Sequence, residues 1–525
     1  MSCLWIVGGA QLRVIDYFDK GVELDPDRPL AIADGLTLSF RDGYDLSWAI
    51  ARGLYAAGFR LGDGVAVLAP NDPRAFAVML GLWRAGGAWI PLNARNPTAA
   101  SGEYVRYTKP RWLFFHPDYA RQAGELCDMA PSLERMVSLD ELDSFTEVGK
   151  YATVPDWSDP FGAPDAVIAL MPTGGTTGAA KGVVARNRHW SAMTDLALSQ
   201  WPRVADPVNL MVAPITHAAG GTATILTTTG TTTVMLDGFD PVRVLESIER
   251  HQVTHLFLPP TAYYALLEQA GARAYDTSSL RMLLLSASPV APEKLARGVE
   301  VFGPCVCQCY GQVESPLMVS YLDPDTVARA AAGDHPERLA SAGRPPESVI
   351  VRTMSDEGRL LGVGERGEIV VRGALVISDY LEMPAATAEA REYGWHHTGD
   401  IGYLDEDGFL YIVDRKKDMI VSGGFNVFTA EVEAAILARD EVLECAVIGV
   451  PDDKWGEMVT AVVVLRAGQE PDAEEIIGSV KASLGSVQAP KRVEFADSLP
   501  KTPAGKVDKK AIRARYWAGR DRMIG

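Results

Sequence analysis

Between Gly53 and Pro91 the chain passes twice from a helical pattern into a short apolar run, and this alternation constrains the fold more than any other feature of the sequence. The segments are LYAAGFRLGDGVAVLAPN and AFAVMLGLWRAGGAWIPLN. The same alternation returns between Pro214 and Leu285, where VRVLESIERHQ predicts a helix and VTHLFLPP a buried strand. Repeated β-α-β units imply an α/β fold, with mostly parallel sheets covered by helices on both faces.

At 525 residues the chain is too long for one small core and calls for at least two folding units. Near Gly343 the texture changes: GRPPESVIVRT, GEIVVRG and GFLYIVDR read as short strands between Gly and Asp turns, a smaller barrel-like unit. After Asp414 it changes again. EVEAAILARD and EEIIGSVKASL are helical, and ECAVIGVPDDKWGEMVTAVVVL holds two strands, which together predict a compact α+β tail. The basic, polar DRKKD at 414–418 is the linker candidate, so the expected domains are 1–414 and 415–525.

A formal charge of −18, with no basic stripe interleaved by aromatics, argues against a nucleic-acid partner. Lys501, Lys509, Lys510, Arg513 and Arg515 gather near the C-terminus and read as a solvated helix face. The N-terminal MSCLWIVGGA has no basic flank, and no stretch approaches the roughly 18 apolar residues that span a bilayer, so no membrane span and a cytoplasmic protein are expected. Six cysteines in so long a chain make no disulfide framework. Cys305, Cys307 and Cys309 alternate along a predicted strand and read as small core or pocket-lining thiols.

Five short segments carry candidate chemistry. In TGGTTGAAKG at 173–182, Gly174, Gly175 and Gly178 let the backbone approach an anion, Thr173, Thr176 and Thr177 offer hydroxyls, and Lys181 adds a charge. It is not a Walker A loop, because Ala180 precedes the lysine, Gly182 follows it, and GVVA reads as a strand. On this segment alone, a plain hairpin turn is the other reading. In YGQVES at 310–315, the Tyr310 ring beside Gly311 can stack on a base, and the Glu314 carboxylate suits Mg²⁺, a hard cation. In HTGD at 397–400, Asp400 reads as a turn aspartate able to accept both hydroxyls of a ribose, though the motif is also ordinary turn chemistry. The fourth segment is DRKKDMIVSGGFN at 414–426. The fifth is LPKTPAGKVDKK at 499–510, where Pro503 and Gly505 shape a loop presenting Lys506, a cation suited to charge developing on a phosphate.

In this order and at these separations, the five segments resemble the superfamily of acyl-CoA synthetases, peptide-synthetase adenylation domains and firefly-type luciferases. The resemblance covers essentially the whole chain. It implies a large N-terminal domain of two α/β subdomains plus a small β-barrel, followed by a mobile α+β C-terminal domain. It also implies ATP, Mg²⁺ and coenzyme A as cofactors. Thr173, Gly175, Thr176, Thr177 and Lys181 would handle the β- and γ-phosphates. Tyr310 and Gly311 would hold adenine beside Ser288, Glu314 would hold Mg²⁺, and Asp400 with Arg415 would bind the ribose. Lys506 would bridge the carboxylate and the α-phosphate, and His217, in PITHAAGG, would gate the acyl pocket. Rotation about Lys417 would then exchange Lys506 for Ser422, Gly423 and Gly424, which would line the pantetheine channel.

The chain departs from the family pattern at Val313, where threonine is usual, and at Gly174 and Ala180, where serine and proline are common. No Asp or Glu stands in PITHAAGG to pair with an α-ammonium, which turns the reading away from amino acids. PDDKWGE at 451–457 is similar to a segment of acyl- and aryl-CoA ligases. The expected activity is AMP-forming acyl-CoA synthesis on a small-molecule substrate, a hydrophobic carboxylic acid: fatty, aryl or polycyclic. One alternative is an enzyme that stops at acyl-AMP or loads an acyl carrier protein. Another is a catalytically silent nucleotide-binding protein.

Overall fold

The structure is a computed structural model that describes residues 12–517 except 34, 159–162, 174–180, 273–274, 378, 453, 471 and 502–506. The chain divides into two compact units, Met1–Val351 with Val371–His396, and Arg352–Val370 with His397–Gly525.

In the first unit the alternation after Gly53 becomes a parallel strand pair, Gly64–Ala69 and Ala88–Asn93, joined by the helix Pro73–Ala85. That helix starts where Asp72 accepts the Arg74 N–H and Pro73 fills the first turn. It stops at Gly86, whose φ of 78° is the left-handed conformation that glycine adopts at little cost. Nearly every side chain on it is buried, including Trp83, whose indole N–H donates to the Ile168 carbonyl at 2.9 Å. A helix apolar all round belongs inside a layered fold, and removing a ring such as that of Trp83 costs about 3–5 kcal/mol.

Six strands form one sheet in the spatial order Arg135–Ser138, Trp112–Phe115, Gly64–Ala69, Ala88–Asn93, Val167–Thr173, Lys181–Arg186. Only the last pair is antiparallel. A second sheet of eight runs Ser320–Leu322, Val306–Tyr310, Met282–Leu285, His255–Leu258, Val208–Met211, Thr232–Met235, Pro29–Ala33, Leu36–Ser39. Its inner pairings are parallel and its two edge pairings antiparallel. The predicted helix and strand after Pro241 are Pro241–His251 and His255–Leu258. Cys305, Cys307 and Cys309 are buried core thiols, and burial raises all three pKa values, that of Cys309 to about 11.

Where the barrel-like unit is expected, the strands Val349–Met354, Gly367–Gly373, His396–Leu404 and Leu410–Arg415 follow one another in a four-stranded sheet. The α+β tail is built on the antiparallel pair Val442–Asp452 and Gly456–Leu465. Val447, Val459 and Val463 pack on Val432 and Ile436 of the helix Thr429–Leu437 and on Ile476 and Val480 of the helix Ala473–Leu484. The alternate residues Ala446, Ile448 and Val462 pack on Leu499 and on Ile512 of the helix Lys509–Trp517. Both faces are covered, so these strands read as near-continuous apolar runs. Among the described residues, no helix is long and apolar enough to cross a membrane.

Candidate active site

Four neighbouring strands of the eight-stranded sheet run parallel, so their carboxyl ends open on one edge: Val208–Met211, His255–Leu258, Met282–Leu285 and Val306–Tyr310. In open α/β sheets, ligands bind beyond that edge. Three sequence-singled segments leave these strands there: the loop to His217, the 286–289 turn, and 310–315.

Each is held by specific contacts. The buried Asn71 side chain accepts the Ile215 N–H at 2.8 Å and donates to the carbonyls of Leu236 and Ala213 at 2.9 and 3.1 Å, which fixes the loop ahead of His217. His217 precedes the helix Ala218–Thr227 and shares a 2.9 Å hydrogen bond between Nδ1 and Thr216 Oγ1. Its ring reaches solvent, yet the surrounding protein mass lowers its pKa by desolvation. Gly220 is required, because a Cβ there would stand 1.8 Å from the Ile215 carbonyl oxygen. In the 286–289 turn, Ser286 Oγ donates to the Cys309 carbonyl at 2.9 Å, tying this turn to the strand that ends at Tyr310. Between Ser286 and the exposed Ser288, Ala287 has φ 79°, a conformation L-residues other than glycine rarely take. Gly311 packs so closely on the Leu317 backbone that a Cβ would come within 2.8 Å of its carbonyl oxygen.

Thr173 and Lys181 face each other as register partners at the ends of the antiparallel pair Val167–Thr173 and Lys181–Arg186. The strand predicted from GVVA is present; Gly175, Thr176 and Thr177, between these strands in sequence, lie outside the described residues. The Lys181 ammonium sits 4.8 Å from the centre of the Tyr380 ring, within cation–π range. The Tyr380 hydroxyl donates to Glu314 Oε1 at 2.9 Å. Burial, then the Glu314 charge, raises the Tyr380 pKa far above the usual phenol value, so the hydroxyl stays protonated and acts as donor. The Glu314 carbonyl accepts the Ile377 N–H at 2.6 Å, which fixes the backbone beneath the carboxylate. Among the described residues Glu314 Oε2 has no hydrogen-bond partner. Among them too, no group of three or more His, Cys, Asp or Glu is placed to hold a metal. A lone, half-buried carboxylate with an open oxygen fits Mg²⁺, which is held by one or two carboxylates and completes its shell with phosphate and water oxygens.

The second unit carries the remaining candidates. Asp400 corrects the turn expectation: it lies within the strand His396–Leu404, buried, and is the register partner of Arg415 on the strand Leu410–Arg415. Its Oδ1 is 2.7 Å from Arg415 Nε, while the guanidinium remains about half exposed. Lys417 is exposed, yet desolvation by the surrounding protein lowers its pKa, and its carbonyl accepts from Arg513 Nη1 at 3.2 Å. Ser422 ends the strand Ile420–Ser422, and Gly423 with Gly424 forms the tight turn into the strand Phe425–Val427. The φ values of 59° and 82° at the two glycines suit a two-residue hairpin. Lys506 lies outside the described residues.

The C-terminal basic cluster is also corrected. Lys510 and Arg515 are exposed, but Lys509 leaves only 19% of its side chain in water and reaches Glu433 at 2.7 Å and Thr429 Oγ1 at 2.8 Å. Arg513 turns inward to Glu457 at 3.3 Å. Sequence reasoning missed these partners, and it missed Asn71 and Tyr380. The only local sign for Tyr380 is the helix start that follows, where Pro384 opens Pro384–Ala390 and Thr387 Oγ1 accepts the Tyr380 N–H at 3.0 Å.

Residues 18–381 match the model of the AMP-binding enzyme family, and residues 431–506 match that of the AMP-binding enzyme C-terminal domain. The chain is 42% identical over 427 residues to a medium/long-chain fatty-acid–CoA ligase of Mycobacterium tuberculosis, covering 78% of this chain and 73% of that protein. It is 37% identical over 471 residues to a feruloyl-CoA synthase of an Amycolatopsis species, covering 89% and 91%. Among solved structures, the amide bond synthetase McbA of Marinactinospora thermotolerans superposes with a TM-score of 0.85 at 31% identity, covering 96% of this chain and all of that one.

Proposed function

The chain belongs to the AMP-binding enzyme family, and from that premise we propose that it is an AMP-forming acid–thiol ligase, which adenylates a hydrophobic carboxylic acid with ATP and passes the acyl group to coenzyme A. The observation that carries the reading is the loop set at the shared strand edge, with a cation, Lys181, and a half-buried carboxylate, Glu314, joined through Tyr380. A triphosphate needs both: cations for its oxygens and a hard ligand for its metal. Two relatives of stated activity, each a CoA ligase or synthase by name, support a thiol acceptor.

In this proposal Thr173, Gly175, Thr176, Thr177 and Lys181 bind the β- and γ-phosphates. Tyr310 stacks on adenine beside Gly311 and Ser288, and the Asp400–Arg415 pair takes the ribose hydroxyls. Glu314 holds Mg²⁺, which when bound neutralises charge between the phosphates. The acid's carboxylate oxygen attacks the α-phosphorus and the bond to pyrophosphate breaks, while Lys506 balances charge at the α-phosphate. The CoA sulfur then attacks the acyl carbonyl, AMP departs, and the thiol proton passes to solvent. His217 lies at the acyl pocket, whose lowered imidazole pKa keeps an uncharged ring beside an apolar substrate. Ser422, Gly423 and Gly424 line the thiol's path, Lys417 is the pivot, and the boundary falls at 414/415.

A panel of fatty, aryl and polycyclic acids, given ATP and Mg²⁺ with and without CoA, tests this by mass spectrometry of pyrophosphate, AMP and acyl-CoA. Acyl-CoA is the expected product. Acyl-AMP that persists in the presence of CoA would move the acceptor to a carrier protein or another nucleophile, and absence of turnover with every acid would sink the reading.

A further inference from the structure

Tyr380 touches two groups of opposite charge without carrying one itself. Its ring lies under the Lys181 ammonium at 4.8 Å, and its hydroxyl donates to Glu314 Oε1 at 2.9 Å. Lys181 and Glu314 form no ion pair with each other among the described residues. An ammonium and a carboxylate at such close quarters would neutralise each other in a direct pair, leaving neither for a ligand.

The residue is well placed for this. Tyr380 bridges Val183, two residues beyond Lys181 on the same strand. Its own N–H donates to Thr387 Oγ1 at 3.0 Å, and the Val184 N–H donates to the preceding residue, Asp379, at 2.9 Å. Three residues upstream, the Ile377 N–H holds the Glu314 carbonyl at 2.6 Å. One short stretch therefore grips both the strand that carries the lysine and the loop that carries the carboxylate.

We propose that Tyr380 is a positioning residue for nucleotide binding: its hydroxyl orients the Glu314 carboxylate for Mg²⁺, and its ring keeps Lys181 apart from that carboxylate and available to phosphate. The proposal rests on the reading of Glu314 as the Mg²⁺ ligand and of Lys181 as a phosphate cation. A phenol suits the task because it occupies one carboxylate oxygen with a neutral donor and leaves the other to a metal. A lysine or arginine there would cancel the charge the metal needs.

Titration calorimetry of the full chain with ATP, once with Mg²⁺ and once with EDTA, separates the two parts. Tyr380→Phe keeps the ring and its packing but removes the donor. Affinity in EDTA should stay at the wild-type value, while the gain in affinity brought by Mg²⁺ should fall about tenfold. Glu314→Gln should lose at least as much of that gain, and adding Tyr380→Phe to it should cost nothing more. If Tyr380→Phe keeps the full gain while Glu314→Gln loses it, the orienting role is wrong and Glu314 keeps its assignment. If Glu314→Gln also keeps the gain, the metal reading fails and the proposal falls with it. Tyr380→Leu, apolar but without a π face, should in addition weaken ATP binding in EDTA. Wild-type affinity there would overturn the role assigned to the ring.

Discussion

Glu314 in the first unit and Asp414 with Glu433 in the second are all carboxylates drawn out of bulk water, and their surroundings satisfy them in opposite ways. Glu314 receives one neutral hydroxyl, and its second oxygen has no partner among the described residues. Asp414 accepts from the N–H and hydroxyl of Thr429 and from the Arg415 N–H, while Glu433 Oε1 accepts from Lys509 and from the Val447 N–H at 2.7 Å each. Backbone conformation follows the same division. Every non-glycine residue with positive φ among the described residues lies in the first unit, and Ala287 and Leu317 sit on either side of the 310–315 loop; the second unit reserves that conformation for glycine. Polar groups left partly open, on a backbone held in costly shapes, mark a surface prepared for a ligand. Saturated polar groups on relaxed backbone mark a joint that carries load.

The largest expected effect tests the saturated side. Burial raises the pKa of Asp414 and of Glu433, and the single Lys509 ammonium that the two carboxylates share offsets this only in part. Burial alone would lower the pKa of Lys509, but the charge and hydrogen bond of Glu433, then the charge of Asp414, leave it raised. Lys509→Met strands both carboxylates and should cost about 3–5 kcal/mol in urea unfolding. The sign with pH follows from these directions. A carboxylate whose folded pKa is raised contributes stability that is complete below its unfolded value and is lost as pH rises through the folded one. The defect in the methionine variant should therefore be smaller near about pH 5 than near about pH 8. In the wild type, the contribution of Lys509 should vanish only as pH rises above the ordinary lysine range. A defect independent of pH would mean that the cluster is held by packing rather than by charge.

On the open side the balance should reverse. Glu314→Gln should slow ATP–pyrophosphate exchange on the order of a hundredfold, while changing unfolding free energy by less than about 1 kcal/mol, because one hydrogen bond with the phenol survives the change. Equal damage to stability would place Glu314 with Asp414 and Glu433 as a structural group, and the contrast between the units would collapse.

How much of this the sequence discloses depends on the range over which each feature is encoded. The helix Pro241–His251, the strand His255–Leu258 and the pair Val442–Asp452 and Gly456–Leu465 are legible because apolar periodicity is local. Tyr380 is not, since its hydroxyl partner is 66 residues away, and Asn71 is not, since it braces a loop 144 residues on. Asp400 reads as a turn because Thr-Gly-Asp is turn chemistry; only pairing with Arg415 across the sheet makes it a strand residue. Lys509 and Lys510 stand side by side and look alike, yet the rotation of one helix sends the first to Glu433 and the second to water. Charge runs reveal composition, and burial decides which member of the run is paired.

The smallest expected effect concerns the strained backbone. Ala287, at φ 79°, precedes Ser288 on a turn whose other anchor is the Ser286 hydrogen bond to Cys309. The left-handed conformation costs an alanine about 1 kcal/mol. Glycine would escape that cost but would bring more entropy to the unfolded chain. Ala287→Gly should therefore leave stability unchanged or raise it by less than about 1 kcal/mol in thermal or urea unfolding. If the strained turn serves nucleotide binding, the same substitution should loosen it and weaken ATP binding a few-fold, opposite in sign to its effect on stability. A variant that is more stable and binds ATP as tightly as the wild type would show that the strain at Ala287 is incidental. The contrast between the two units would then rest on their carboxylates alone.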